Sequence, residues 1–183
     1  MISRSEALNL LNSYVKSKQL FKHCLAVEAL MRRMAERLGE DVEVWGLTGL
    51  LHDIDYEVVS GDMNRHGLEA ENILRNKLPD EALEAIKAHN ERIGVESSLK
   101  ISKALRAADH LSGLIIATAL VMPNKKLSEV TIKSLMKKLK QKDFAKGVDR
   151  LRIKSCMEIG LTIEEFMEIG LEALQKIHVD LEL

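Results

Sequence analysis

The chain has 183 residues, with 27 Lys and Arg against 28 Asp and Glu and a formal charge of -1, so no global electrostatic pull toward nucleic acid or an anionic membrane is expected. Its 46% hydrophobic and 30% charged residues are those of a globular chain, while 3% aromatic content and two prolines favour helix over sheet. The length suits one domain over 1–183 with a core of its own.

Ser3-Arg4-Ser5-Glu6 reads as a capping box opening a first helix, with Leu8, Leu11 and Val15 as a narrow apolar stripe. From Lys18 to Leu38 apolar residues recur at helical spacing, His23 lies on or beside that stripe, and Gly39 is the stop. Asp41 caps a helix that is apolar nearly all round (Val42, Val44, Trp45, Leu47, Leu50, Leu51), as expected of one buried in a bundle, and it ends at His52-Asp53. Ser60-Gly61-Asp62 supplies a turn, and a helix is predicted from about Asn64 with His66 in its first turn. Pro79 breaks that pattern and Asp80 caps a short helix reaching His89 and Asn90. Ser97 or Ser98 opens the longest predicted helix, which carries Asp109 near its centre and stops at Pro123-Asn124. Ser128 is predicted to cap a helix through Leu139, a further helix covers 144–159, and Thr162-Ile163-Glu164-Glu165 is a capping box opening the last, through Ile177. Without hairpin-spaced β-branched alternation or an internal repeat, the fold class is all-α, a single-domain helical bundle.

His52 and Asp53 set an imidazole and a carboxylate side by side straight after an apolar helical run. Neighbours on a helix point about 100° apart, so the two share an ion only if it sits in the angle between them and other helices complete its shell. His23 upstream and His66, His89 and Asp109 downstream are the candidates. Nitrogen and carboxylate donors together suit iron, manganese, nickel or zinc better than magnesium. Bound by His23, His52, Asp53 and Asp109, one ion keeps positions open for water and a further oxygen. If His66 and His89 hold a second ion, Asp53 is the natural bridge; with one ion, these two histidines contact substrate instead. Asp55, Glu57 and Asp62 follow closely enough to be acids or acceptors for ligand imidazoles, with Glu57 and Asp62 read rather as solvated loop carboxylates. Arg65, Lys87 and Arg92 flank the later histidines as substrate-phosphate candidates. His110 is read as structural, His178 as surface, and Cys24 as a core residue.

A lone His23, the His52-Asp53 dipeptide ending a helix, and Asp109 within Ala107-Ala108-Asp109-His110-Leu111 together resemble the HD-domain metal-dependent phosphohydrolases, over roughly 18–120. His66 and His89 resemble the two additional histidines of members that hold two metals. The chain is similar to the subgroup that often reads His-Asp-Ile-Gly, with Asp55 standing where glycine is usual. The resemblance implies a metal-binding core at 18–120 with a C-terminal helical extension at 125–183 packed on it, and one or two divalent metal ions. It implies a phosphomonoesterase or phosphodiesterase that attacks the phosphorus of a nucleotide or small phosphorylated metabolite with a metal-activated water, with Asp53 as a catalytic residue; Asp55, read from its place just after the dipeptide and not from the resemblance, is the other catalytic candidate. The alternative on the same fold is a catalytically silent metal- or nucleotide-binding sensor. The Gly-Tyr-Pro motif of cyclic dinucleotide phosphodiesterases is absent.

Cys24 and Cys156 are isolated, which argues against a disulfide framework and for a reducing cytoplasm. Polar residues interrupt the first 20 positions, unlike a signal peptide, and the longest apolar tract, 114–122, falls far short of the roughly 20 residues of a membrane span. The segment 125–154 holds eleven basic and three acidic residues, and 155–183 seven acidic and one basic. These two are expected to form solvated faces or to pair with each other, within the fold or between subunits. Phe144 is the only aromatic in the basic segment, so nucleic-acid binding by base stacking is not expected. A monomer or a homodimer fits the size.

Overall fold

The computed structural model describes residues 1–183, and it contains helices, turns and no strand. Ten α-helices follow one another: α1 Arg4–Tyr14, α2 Lys18–Leu38, α3 Val42–Leu51, α4 Leu68–Leu74, α5 Asp80–His89, α6 Lys100–Leu120, α7 Ile132–Lys140, α8 Arg150–Lys154, α9 Ile163–Lys176 and α10 His178–Leu181. No helix is long and apolar enough to cross a membrane.

The expected caps at Ser3, Asp41 and Thr162 form, each side chain accepting a backbone N–H of the first turn, and Gly39 ends α2 in the left-handed conformation. Other boundaries differ. The segment around Asn64 is a chain of turns, and α4 begins only at Leu68, so His66 precedes the helix. Asp80 is the first residue of α5 rather than its cap, and α6 begins at Lys100 without a side-chain cap. Ser97 Oγ instead accepts from Leu99 N–H in the approach to α6. Thr131, not Ser128, caps α7. The helix expected over 144–159 reduces to α8, capped by Asp149, and a 3-10 turn at Ser155–Ile159, because Arg150 folds back to donate to carbonyls of the preceding loop, Gln141 at 3.0 Å and Ala145 at 2.8 Å among them.

Helix α3 is buried at every position from Val44 to Leu51 and packs most extensively on α2. The approach is close: a Cβ at Gly49 would lie 2.8 Å from the Val27 carbonyl oxygen of α2. Beside it, buried Glu28 accepts from Arg4 of α1 at 2.6 and 2.9 Å and from Arg32 at 2.9 Å, and Arg32 donates on to Glu43 of α3. Such a buried acid holds three helices in register because removing either partner leaves a charge uncompensated. Helix α6 crosses this pair and α5, so that α2, α3, α5 and α6 meet at one end of α3.

The acidic C-terminal segment does not pair with the basic one. Glu165, Glu172 and Glu182 bind Arg37, Arg33 and Lys22 of α2, which lies against α9 and α10. Lys133, Lys137 and Lys140 stand exposed on α7, the solvated face expected of them.

Candidate metal centre

Six side chains from five segments converge. His23 comes from the second turn of α2, His52 and Asp53 from the end of α3, His66 from the turn ahead of α4, His89 from the last position of α5, and Asp109 from the middle of α6. His23 Nε2 lies 3.3 Å from His52 Nε2 and 3.1 Å from Asp109 Oδ1. His66 Nε2 and His89 Nε2 are 3.0 Å apart. Asp53 stands between the two groups: Oδ1 is 3.4 Å from His52 Nε2, 3.3 Å from His66 Nε2 and 3.4 Å from His89 Nε2, and Oδ2 is 3.8 Å from His23 Nε2.

The far side of each ring fixes its orientation. His52 Nδ1 donates to the Gly49 carbonyl at 2.8 Å, His89 Nδ1 to the Ile86 carbonyl, and His66 Nδ1 to Asp55 Oδ1 at 2.8 Å. His23 Nδ1 lies 3.4 Å from Ser112 Oγ, which is itself committed as donor to the Asp109 carbonyl. These partners assign the Nδ1–H tautomer, so the Nε2 lone pairs face one another. Converging lone pairs repel unless a cation lies among them. Donors about 2.1 Å from a common ion are about 3.0 Å apart at right angles and about 3.4 Å apart at tetrahedral angles, and the separations fall in that range except that of His23 Nε2 and Asp53 Oδ2, which is wider at 3.8 Å. The residues therefore fit one ion on His23, His52, Asp53 and Asp109, and a second on His66 and His89 with Asp53 shared.

Charge agrees with geometry. In the metal-free protein a proton on His23 Nε2 stands where an ion would: burial opposes ionisation of Asp109, but the His23 hydrogen bond overrides it and holds the carboxyl at about 2. Burial likewise opposes ionisation of Asp53, and the surrounding imidazoles, His52 first, carry it well below the usual carboxylate range. Burial drives His52 down to about 4, which keeps it a neutral donor. For His66 burial is outweighed by its bonds to Asp53 and Asp55, which lift it to about 9, so a proton competes there with any metal. Burial pushes the Cys24 thiol well up, consistent with a core residue.

Asp55 has no exposed surface. Besides His66, its Oδ2 accepts from Gly67 N–H at 2.7 Å and Ala70 N–H at 2.9 Å, capping α4 from a distant part of the chain. Gly67 needs its freedom here, with φ at 90° and a would-be Cβ 3.2 Å from the Lys87 carbonyl. Enclosed in this way, Asp55 has no path to a leaving group, and the catalytic-acid expectation gives way to that of an acceptor for a ligand imidazole. Glu57 is not a free loop charge either: it accepts from Lys16 and Ser17 N–H at 2.9 and 2.8 Å. Asp62 accepts from Asn64 N–H at 3.1 Å, closing its own turn.

The centre floors a cavity of about 530 Å³. Arg92 lines it as expected, but Arg65 and Lys87 do not. Arg65 is drawn along its own segment to Glu69, and Lys87, two positions before His89 and so on the other side of α5, meets Glu71 of α4. Sequence reading missed Arg106, Arg152, Tyr56 and Asn90. Arg106 carried a signal, lying three positions before Asp109 on the same helical face; Arg152 carried none, being brought in by α8. Asn90 donates to the Met63 and His66 carbonyls at 2.6 and 2.9 Å and steadies the His66 turn. His110, expected to be structural, also lines the cavity, its Nδ1 accepting from Asp149 N–H at 3.2 Å. His178 is exposed.

No solved structure matches the chain. The model of one protein family, the HD domain, matches residues 20–114, just over half of the chain and a span that contains all six converging side chains. By that match, the helical fold and the donor set, the chain belongs to the HD-domain family, whose members are generally metal-dependent phosphohydrolases.

Proposed function

We propose that the protein hydrolyses a phosphomonoester or phosphodiester of a nucleotide or small phosphorylated metabolite. The observation that carries this is four imidazoles and two ionised carboxylates gathered around one another, with Asp53, His66, His89 and Asp109 lining an open, mostly polar cavity. His23, His52, Asp53 and Asp109 hold one divalent ion, and His66 and His89 with Asp53 the other, iron, manganese, nickel or zinc being favoured over magnesium by the nitrogen donors. Bound there, the ions would supply Lewis acidity toward a phosphoryl oxygen and acidify water. Asp53 couples the two positions, Asp55 fixes the His66 tautomer, and Arg92 offsets substrate charge at the rim. Residues 1–183 are read as one domain, with 18–120 as the metal-binding core and 125–183 as its extension, a reading supported by the single buried apolar cluster running from Ala7 to Leu183.

The test is elemental analysis of the purified protein, then a phosphate-release screen against nucleotides and sugar phosphates with manganese, iron, nickel and magnesium. Asp53→Ala is expected to lose bound metal and turnover while keeping its helical circular dichroism. Undiminished turnover in that variant would overturn the proposal.

A further inference from the structure

The cavity at the metal centre adjoins a second of about 680 Å³, and the two share Glu91 and Arg106 in their walls. Only Tyr56 and Met63 among the residues of the first cavity are apolar. Three guanidiniums reach it from separate elements: Arg92 from the turn after α5, Arg106 from α6 and Arg152 from α8. Arg106 lies three residues, or about 4.5 Å of helical rise, from the ligand Asp109 on the same face.

The ion pairing of these arginines is incomplete. Arg92 and Arg106 form no ion pair, whereas Arg152, with its side chain 15% exposed, pairs with Glu91, whose own side chain is 69% exposed. An exposed surface carboxylate is a replaceable partner for a guanidinium, and a phosphoryl group presents the same bidentate oxygens with greater charge. Charge distinguishes what is needed for the attacked phosphate from what lies beyond it. Two divalent ions on Asp53 and Asp109 leave an excess of two positive charges, which a single phosphomonoester dianion already matches. The three arginines, against Glu91 and Asp149 alone, stand beyond that requirement.

We propose that this wall is a second phosphoryl-binding subsite with Arg106 as its specificity-determining residue. The substrate then carries a phosphoryl group beyond the one attacked. The remainder of the molecule extends into the adjoining cavity, whose Glu96, Ser97, Ser98 and Lys103 suit a hydroxyl-bearing moiety rather than an aromatic one. This rests on the phosphohydrolase reading of the same site.

The test compares methylenediphosphonate, which has a second phosphoryl group and no cleavable P–O–P bond, with methylphosphonate. Each is titrated calorimetrically into the manganese-loaded protein, with metal content measured afterwards. The readout is the ratio of the two affinities in wild type, Arg106→Gln and Arg106→Lys, since the diphosphonate also chelates the ions in all three. Loss of a charge-assisted bidentate contact is expected to shrink the ratio about tenfold or more in Arg106→Gln and less in Arg106→Lys. An unchanged ratio, or an equal loss for both ligands, overturns the subsite. Should Arg106→Gln melt early, Arg92→Gln at the exposed rim carries the same comparison, and an unchanged ratio there counts against the proposal equally. If the ratio depends on Arg106 while no phosphoester is hydrolysed, the subsite stands and the hydrolase reading falls; hydrolysis with an Arg106-independent ratio gives the converse.

Discussion

Asp55→Asn separates the role of Asp55 from that of the metal ligands. The carboxylate serves three donors, His66 Nδ1–H on one oxygen and the Gly67 and Ala70 N–H groups on the other. A carboxamide has only one acceptor oxygen. Facing His66 with it would set the NH2 against two buried N–H groups, leaving two donors unpaired at about 1–3 kcal/mol each. Facing the backbone with the oxygen is therefore preferred, and the NH2 then meets His66 Nδ1. His66 must switch to its other tautomer, which puts a hydrogen on Nε2 toward Asp53 and removes the lone pair a metal requires. Outer-shell changes of this kind typically lower metal affinity by about 10–100-fold. Replacing three charge-assisted bonds by neutral ones, offset by the lower desolvation cost of an amide, destabilises the metal-free fold by about 1–3 kcal/mol. Equilibrium metal titration should show one site weakened and the other, on His23, His52 and Asp109, close to wild type, with urea unfolding giving the stability change. Two sites of undiminished affinity in Asp55→Asn would refute the tautomer argument.

Two other predictions follow from the same packing. In the metal-free protein His66 lies at about 9, above the ordinary value near 6.5, so the stability it adds is full below about 6.5 and is lost as pH rises through 9. His52 at about 4 has the opposite sign and costs stability as pH falls from about 6.5 toward 4. Since a metal must displace the His66 proton, affinity at the His66–His89 position should rise about tenfold per pH unit up to about 9, with a proton released on binding; affinity flat between pH 6 and 8 would contradict this. Gly49→Ala would press a methyl into the Val27 carbonyl at 2.8 Å and shift the carbonyl that orients His52. Denaturation is expected to show a loss of about 1–3 kcal/mol from overpacking, together with weaker metal binding; wild-type stability would mean that α2 and α3 have slack.

Helix identity and donor identity were legible in the sequence because both rest on local chemistry. The period of apolar residues defined α2 and α6, an unbroken apolar run defined α3, and Ser3, Asp41 and Thr162 marked starts by the donors their side chains can satisfy. A histidine beside an aspartate at the end of a nearly all-apolar helix is itself a local pattern, and it drew attention to the other four candidate side chains. Weaker periodicity gave weaker boundaries, as in 60–67 and 141–149, where the chain runs through successive turns and side chains outside each turn, Asn90 and Arg150, bind its carbonyls.

What the sequence determined by itself was therefore an all-helical chain carrying six metal-competent side chains. The tertiary structure alone decided which groups face one another: that Asp55 is enclosed against His66, that Arg65 and Lys87 turn away while Arg106 and Arg152 line the cavity, and that the acidic C-terminal helices pair with α2. Most of these depend on the direction of a side chain relative to a residue on another element. Helical periodicity gives a side chain's angle about its own axis, and only the packing of one axis on another determines what lies there.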